Sequence, residues 1–168
     1  MKSIIENIIN CNMQEKELLK KLGEETIYSA KGHFKACDIR RNLVTITIWV
    51  CALINVVGLF DLSTIAGKML SAVGLIGTIA LLIWNNGDGK NYRAKHKEAA
   101  EKYLALHKEI RSCFFLNDNN IDQTELLCKK VINLDKSDKP EIPGLARRLA
   151  KKAIEKKDSE TDNWFLKN

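Results

Sequence analysis

The sequence predicts an all-α integral membrane protein in which a two-span transmembrane helical hairpin is extended by cytoplasmic helices. Three observations lead there. Two apolar runs, Leu43 to Phe60 and Met69 to Trp84, lie eight residues apart. Lysines and arginines flank the pair on both outer sides, while the connecting loop carries only Asp61 and Lys68. Outside the runs, apolar residues return at three- and four-residue steps, the period of an amphipathic helix.

The first run, LVTITIWVCALINVVGLF, holds 18 residues without a charge. At about 1.5 Å per residue it is long enough to cross a hydrocarbon core about 30 Å thick. The second run gains length if it is extended back through Thr64, Ile65, Ala66 and Gly67, with Lys68 near its outer end, where a long side chain can snorkel to the headgroups. The alternative is a buried hairpin at the centre of a soluble bundle. Enclosing two wholly apolar helices would require broad apolar faces on every other helix, and those faces are narrow and charged. Totals of 45% hydrophobic and 29% charged residues resemble a soluble protein only because charged ends dilute an apolar centre. About forty polar-rich residues precede the first run and no small-residue cleavage pattern ends it, so both spans are expected to persist in the mature protein.

Lys31, Lys35, Arg40 and Arg41 before the first span, and Lys90, Arg93, Lys95 and Lys97 after the second, predict cytoplasmic termini. The division expected is 1–42 for N-terminal cytoplasmic helices, 43–84 for the hairpin with an external loop at 61–68, and 85–168 for a C-terminal cytoplasmic helical region. The net charge of +6 reads as a topology signal and an attraction to an anionic inner leaflet. No zinc spacing, aromatic-studded basic motif or recognition-helix pattern points to nucleic acid. The five cysteines are scattered singly, which suits reduced thiols.

Taking the flanks in order, residues 3 to 22 read as an amphipathic helix carrying Ile4, Ile5, Ile8, Leu18, Leu19 and Leu22, with Gly23 placed as its stop. A second helix starts at Glu24 and Glu25, repeats Ile27, Ala30, Phe34 and Cys37, and continues into the first span. Asn85 to Gly89, NNGDG, reads as a helix break. His96, Ala99, Tyr103, Leu106, Ile110 and Cys113 form the next stripe, predicted to pack against the second helix and bury Phe34 with Tyr103. A loop at Asn117 to Asn120 precedes a helix with Asp122 and Glu125 in a capping-box spacing and Leu126, Leu127, Val131 and Leu134 beyond. Lys136 to Pro143 contains both prolines and reads as a turn, Leu145 to Lys157 as a short basic helix, and the tail from Asp158 is polar until Trp164, Phe165 and Leu166.

No constellation carries enzymatic chemistry, so neither catalysis nor a cofactor is expected. His33, His96 and His107 have no carboxylate or thiol at ligand spacing. The glycine sets match neither a Walker A loop nor a dinucleotide fingerprint. Asp118, Asn120 and Asp122 alternate as calcium ligands do, without the turn glycine and the closing glutamate.

Polarity inside the spans is more informative. Thr64, Gly67, Ser71, Gly74 and Thr78 place small or hydroxyl side chains on one face of the second span. Thr47, Cys51, Asn55 and Gly58 do the same in the first, with the Asn55 amide near mid-membrane, where it needs a partner. These nine positions read either as close packing within one hairpin or as a lining exposed on self-association, one stripe sealing the hairpin and the other facing a neighbouring copy or water. Lys31 and His33, beside the membrane entrance, read either as snorkelling and solubilising residues or as contacts for an anionic ligand or lipid phosphate.

The order of parts resembles the SLATT family, the two-transmembrane effectors associated with nucleotide-sensing bacterial conflict systems. Four features carry the resemblance: Tyr28-Ser29-Ala30-Lys31-Gly32-His33-Phe34 before the membrane, the closely spaced hairpin, the Tyr103 helix, and Pro140-Glu141-Ile142-Pro143 ahead of the basic helix. Related sequences more often hold a second proline where Glu141 stands. The resemblance implies a non-catalytic effector of antiviral defence in the bacterial inner membrane, one that assembles as a homo-oligomer into a membrane-disrupting pore. The partners implied are the lipid bilayer, further copies of the chain, and a nucleotide second messenger or a co-encoded sensor protein. No fused nucleotide-sensing or nuclease domain is expected. The competing expectation, from a different class, is a non-conducting membrane anchor or assembly platform that recruits a cytoplasmic partner.

Overall fold

The first helix, α1 (Lys2–Phe60), is unbroken over 59 residues. Gly23 therefore does not stop a helix as predicted. Its missing side chain has another use: a Cβ there would fall 2.5 Å from Cζ2 of Trp164, so the glycine seats an indole on the helix surface. In the computed structural model α2 (Ile65–Trp84) and α3 (Lys90–Leu116) follow, joined by a π-helical turn (Asn85–Gly89), then α4 (Ile121–Lys136), α5 (Gly144–Glu155) and a 3-10 turn (Trp164–Leu166). The structure describes residues 2–60, 63–116, 121–155 and 164–166, with the side chains of 2–13, 121 and 166 left out. Asp61 and Leu62 of the predicted external loop, the side chains of Ile4, Ile5, Ile8 and Cys11, the loop Asn117–Asn120 and most of the tail from Asp158 lie outside the described residues.

NNGDG does not break the helix either. It widens into a π turn in which a Cβ on Gly89 would lie 2.9 Å from Asn85 Oδ1, so the glycine leaves room for that side chain. The prolines lie between helices as predicted: residues 139–143 belong to neither helix nor strand, and the Pro143 carbonyl accepts the first helical bond of α5 from Arg147 N at 3.1 Å. Two apolar helices are long enough to cross a membrane, one within α1 and one running from α2 onward.

The chain divides into two compact units, residues 36–95 and residues 1–35 with 96–168. In the first, the buried positions are mostly small: Ala36, Gly58, Gly67, Gly74 and Gly89, joined by Val44. The large apolar side chains are outside, Phe60 at 88%, Ile65 at 78% and Trp49 at 67% exposure. At its polar margin the Arg40 guanidinium lies 3.8 Å from the Trp84 ring centre and also faces Tyr92, while Arg93 donates to the Gly89 carbonyl at 3.2 Å.

The second unit has a conventional core. Leu19, Leu22 and Ile27 of α1 pack with Leu106, Ile110 and Cys113 of α3, Leu127 and Val131 of α4, Ile154 of α5, and Trp164 and Phe165. All six α3 positions predicted to form a stripe are buried. Ile27 and Ala30 of the predicted α1 stripe are buried, but beyond them His33 is buried at 1% exposure whereas Phe34 and Cys37 are half-buried, so His33 and not Phe34 is Tyr103's buried neighbour.

Candidate functional site

Two sets of residues stand out, one in each unit. The polar stripes of the apolar helices meet each other. Ser71 Oγ donates to Asn55 Oδ1 at 3.0 Å, supplying the partner that a mid-helix amide in an apolar setting requires. A Cβ on Gly74 would fall 2.7 Å from Asn55 N and 2.8 Å from the Cys51 carbonyl, and one on Gly58 would fall 2.7 Å from the Gly67 carbonyl and collide with Ser71 N. The two backbones are thus in direct contact, which only glycine at these points permits. Gly58 meets the start of α2 while Cys51 and Asn55 meet its middle, so the two segments pair in opposite directions.

Of the nine predicted stripe residues, Cys51, Asn55, Gly58, Gly67, Ser71 and Gly74 come together. The other three act within their own helices. Thr47 and Thr78 hydroxyls donate to the carbonyls four residues back, of Leu43 and Gly74, each at 2.8 Å. Thr64 is the N-cap of α2, its hydroxyl accepting from Gly67 N at 3.1 Å. In the single chain these six residues lie against one another.

The other set is in the helical core of the second unit. His33 and His96 are buried, with their Nδ1 atoms 2.8 Å apart, so one ring donates and the other accepts. Neither is charged in that pairing. Burial first, then His96, then the nearby Lys139 push the His33 imidazole down to about 4, and burial lowers His96 as well. Tyr103 stacks on His33, with ring centres 5.9 Å apart and planes 19° apart. Its hydroxyl donates to Asp135 Oδ1 and accepts from Lys139 Nζ, which also donates to Asp135 at 2.7 Å. Burial and then the Asp135 carboxylate hold the Tyr103 phenol well above its usual range.

Beside this network opens a pocket of about 500 Å³. Its walls come from the segments that carry the sequence resemblance: Tyr28, Ser29 and His33 from α1, Tyr103 from α3, and Pro140, Glu141 and Ile142 from the proline segment. Lys139, Arg147 and Lys151 complete it. The α1 and proline segments touch directly, because a Cβ on Gly32 would lie 3.0 Å from Cδ1 of Ile142. Of the two residues predicted as anion contacts, His33 lines the pocket from within the core, and half-buried Lys31 is outside its lining. Sequence reasoning did not anticipate Arg147, Lys151 or Lys139 in this role. The signal was present in the i, i+4 spacing of Arg147 and Lys151, which puts two cations on one face of α5.

His107 lies in a separate polar cluster. Its Nδ1 donates to the Gly23 carbonyl at 2.9 Å and its Nε2 accepts from Trp164 Nε1 at 3.3 Å, which fixes its tautomer and ties the indole to the glycine that seats it. Among the described residues no group of three or more histidine, cysteine, aspartate or glutamate side chains is placed to hold a metal. Among the described residues Cys37, Cys51, Cys113 and Cys128 form no disulfide. No protein-family model, curated protein or solved structure matches the chain.

Proposed function

We propose that this chain is a membrane effector of a nucleotide-signalled bacterial antiviral defence, which permeabilises the inner membrane as a homo-oligomer. In this reading α1 and α2 cross the bilayer as a hairpin and both termini are cytoplasmic. One observation supports it above the rest: residues 36–95 pack glycine inward and leave Trp49, Leu53, Val57, Phe60, Met69, Val73 and Ile76 outward. Water penalises that arrangement and lipid does not. The basic flanks suit the positive-inside orientation, and the motif order resembles that of the SLATT effectors.

Permeation asks more of the chain than insertion. One pair of helices encloses no water path, so several copies are needed. Asn55 and Ser71 satisfy each other within one chain, so lining a path with them requires that contact to part. The same hydrogen bond favours a second reading, a non-conducting anchor that recruits a cytoplasmic partner.

Membrane potential and entry of an impermeant dye, measured in bacteria making this chain with its neighbouring genes under phage challenge, separate the two. Depolarisation that requires both the chain and the trigger supports the effector. An unchanged potential, with the chain inserted and the trigger working, overturns it in favour of the anchor.

A further inference from the structure

The pocket on the 1–35 and 96–168 unit has the makings of a ligand site that the membrane reading does not use. Its volume, about 500 Å³, lies within the range of small-molecule sites. Its lining includes the aromatic and apolar Tyr28 and Ile142 together with Arg147 and Lys151, one turn apart on α5. Lys139 is engaged by Asp135 at 2.7 Å, and the Lys151 ammonium is 3.7 Å from Glu155, with both side chains more than half exposed, a loose pair that leaves it available. Among the described residues that line it, Glu141 is the one acid against three cations.

A second observation is independent of these charges. His33 lines the pocket and is 1% exposed, and its Nε2 is buried with no hydrogen-bond partner among the described residues. The Nδ1 contact with His96 leaves Nε2 able to donate or accept, but that atom is sealed from solvent, so the ring serves as pocket wall and Nε2 gains a partner only where the lining yields. Tyr103, stacked on the same ring and fixed by Asp135 and Lys139, holds the imidazole in place.

We propose that this pocket binds a phosphate ester of mononucleotide size, its phosphate met by Arg147 and Lys151 and its planar body by Tyr28 and Ile142. The phosphate suits the guanidinium and ammonium on one helix face. The apolar wall and the volume call for more than inorganic phosphate. Glu141 at the rim suits ligand hydroxyl or amino donors. This assignment does not rest on the membrane reading, since binding is measured without reference to permeation.

The test is calorimetric titration of the full chain in nanodiscs, with adenosine monophosphate, guanosine monophosphate and inorganic phosphate as probes. Discs of uncharged lipid and discs containing phosphatidylglycerol distinguish a soluble phosphate ester from a lipid headgroup. A nucleotide is expected to bind saturably, and inorganic phosphate at least about tenfold more weakly. Arg147→Glu and Lys151→Glu should each weaken nucleotide binding about tenfold or more, as expected for loss of a charge-assisted contact. Arg148→Glu, the same charge change on a neighbouring residue outside the lining, should leave binding unchanged. Ser29→Trp, which fills the cavity without altering charge, should abolish it, and thermal unfolding checks that each variant is folded. The His33 Nε2 nitrogen resonance should move on saturation. Competition by phosphatidylglycerol discs, lost in the same variants, would assign the phosphate to a lipid. Equal weakening by Arg148→Glu, or no saturable binding of any probe in either disc, would overturn the proposal.

Discussion

The two units use opposite packing rules. In the 1–35 and 96–168 unit the largest fully buried side chains include Tyr103, Leu19, Ile27 and Ile110, and the outer faces are lysine- and glutamate-rich. In residues 36–95 the buried positions are chiefly glycine, and the large apolar side chains face out. Only 11% of each apolar window is buried inside the structure. A core of side chains is what water selects. A glycine seam with an apolar exterior is what remains when the solvent is itself apolar and only van der Waals contact and hydrogen bonds hold helices together. The contrast extends to polar atoms. The seam uses its polar atoms on itself, whereas the other unit leaves a buried imidazole nitrogen unpartnered beside a pocket.

The largest expected effect breaks the contrast from outside. Leu53→Arg, on the outward face of α1, should cost about 2.5–3.5 kcal/mol of insertion free energy and move the chain out of the carbonate-resistant membrane fraction. Leu126→Arg, an exposed apolar position of α4, should leave fractionation unchanged. Equal behaviour of the two variants would erase the distinction between the units.

The next effect is acidification. The His33 imidazole is held at about 4, against its ordinary 6.5. Between those values the unfolded chain takes up a proton there that the folded chain does not, so stability is complete above 6.5 and declines as pH falls towards 4. The loss should approach about 3 kcal/mol in denaturant titrations of the full chain in detergent. His33→Gln should reduce that slope and leave the share due to His96, which burial lowers as well. An unchanged slope in the variant would place the titration elsewhere.

The glycine seats come third, and they compare the units on the same chemistry. Gly74→Ala presses a methyl into backbone atoms of Asn55 and Cys51, which cannot yield without separating the helices. Gly23→Ala presses into the indole of Trp164, a side chain that can shift. Each should destabilise by about 1–3 kcal/mol, Gly74→Ala the more. A Gly23→Ala, Trp164→Ala double-mutant cycle should be non-additive, because removing the indole relieves the clash. Additive costs would mean that Gly23 has another role. The smallest effect sharpens the pocket region: Tyr103→Phe deletes the hydroxyl shared by Asp135 and Lys139 and should cost about 1–2 kcal/mol by thermal unfolding.

Much of the helical architecture was legible because it rests on periodicity and apolar length. The α3 stripe is buried at every predicted position, and the prolines end α4 and lead into α5. The failures share one cause. Gly23 and the glycines of NNGDG were read by local propensity, as a stop and a break, whereas tertiary contacts decide them: Gly23 receives Trp164 from 141 residues away, and Gly89 makes room for Asn85 within a π turn. Ile27 and Ala30 are buried as their spacing predicts, while beyond them His33 replaces Phe34 in the α1 core, where it meets His96, a contact no spacing reveals. The pocket was half legible. His33 and the Pro140–Pro143 motif were noticed separately, but no one-dimensional pattern places Ile142 against Gly32 or brings Arg147 beside Tyr28.

The central claim, that residues 36–95 cross the membrane with both termini inside, is tested most directly by cysteine accessibility in a variant lacking the native cysteines. Ser63→Cys and Ser137→Cys are labelled in turn with a membrane-impermeant maleimide. In spheroplasts Ser63→Cys should react at once and Ser137→Cys only after lysis. Recovery of the chain in the soluble fraction, or labelling of Ser137→Cys before lysis, would contradict the account.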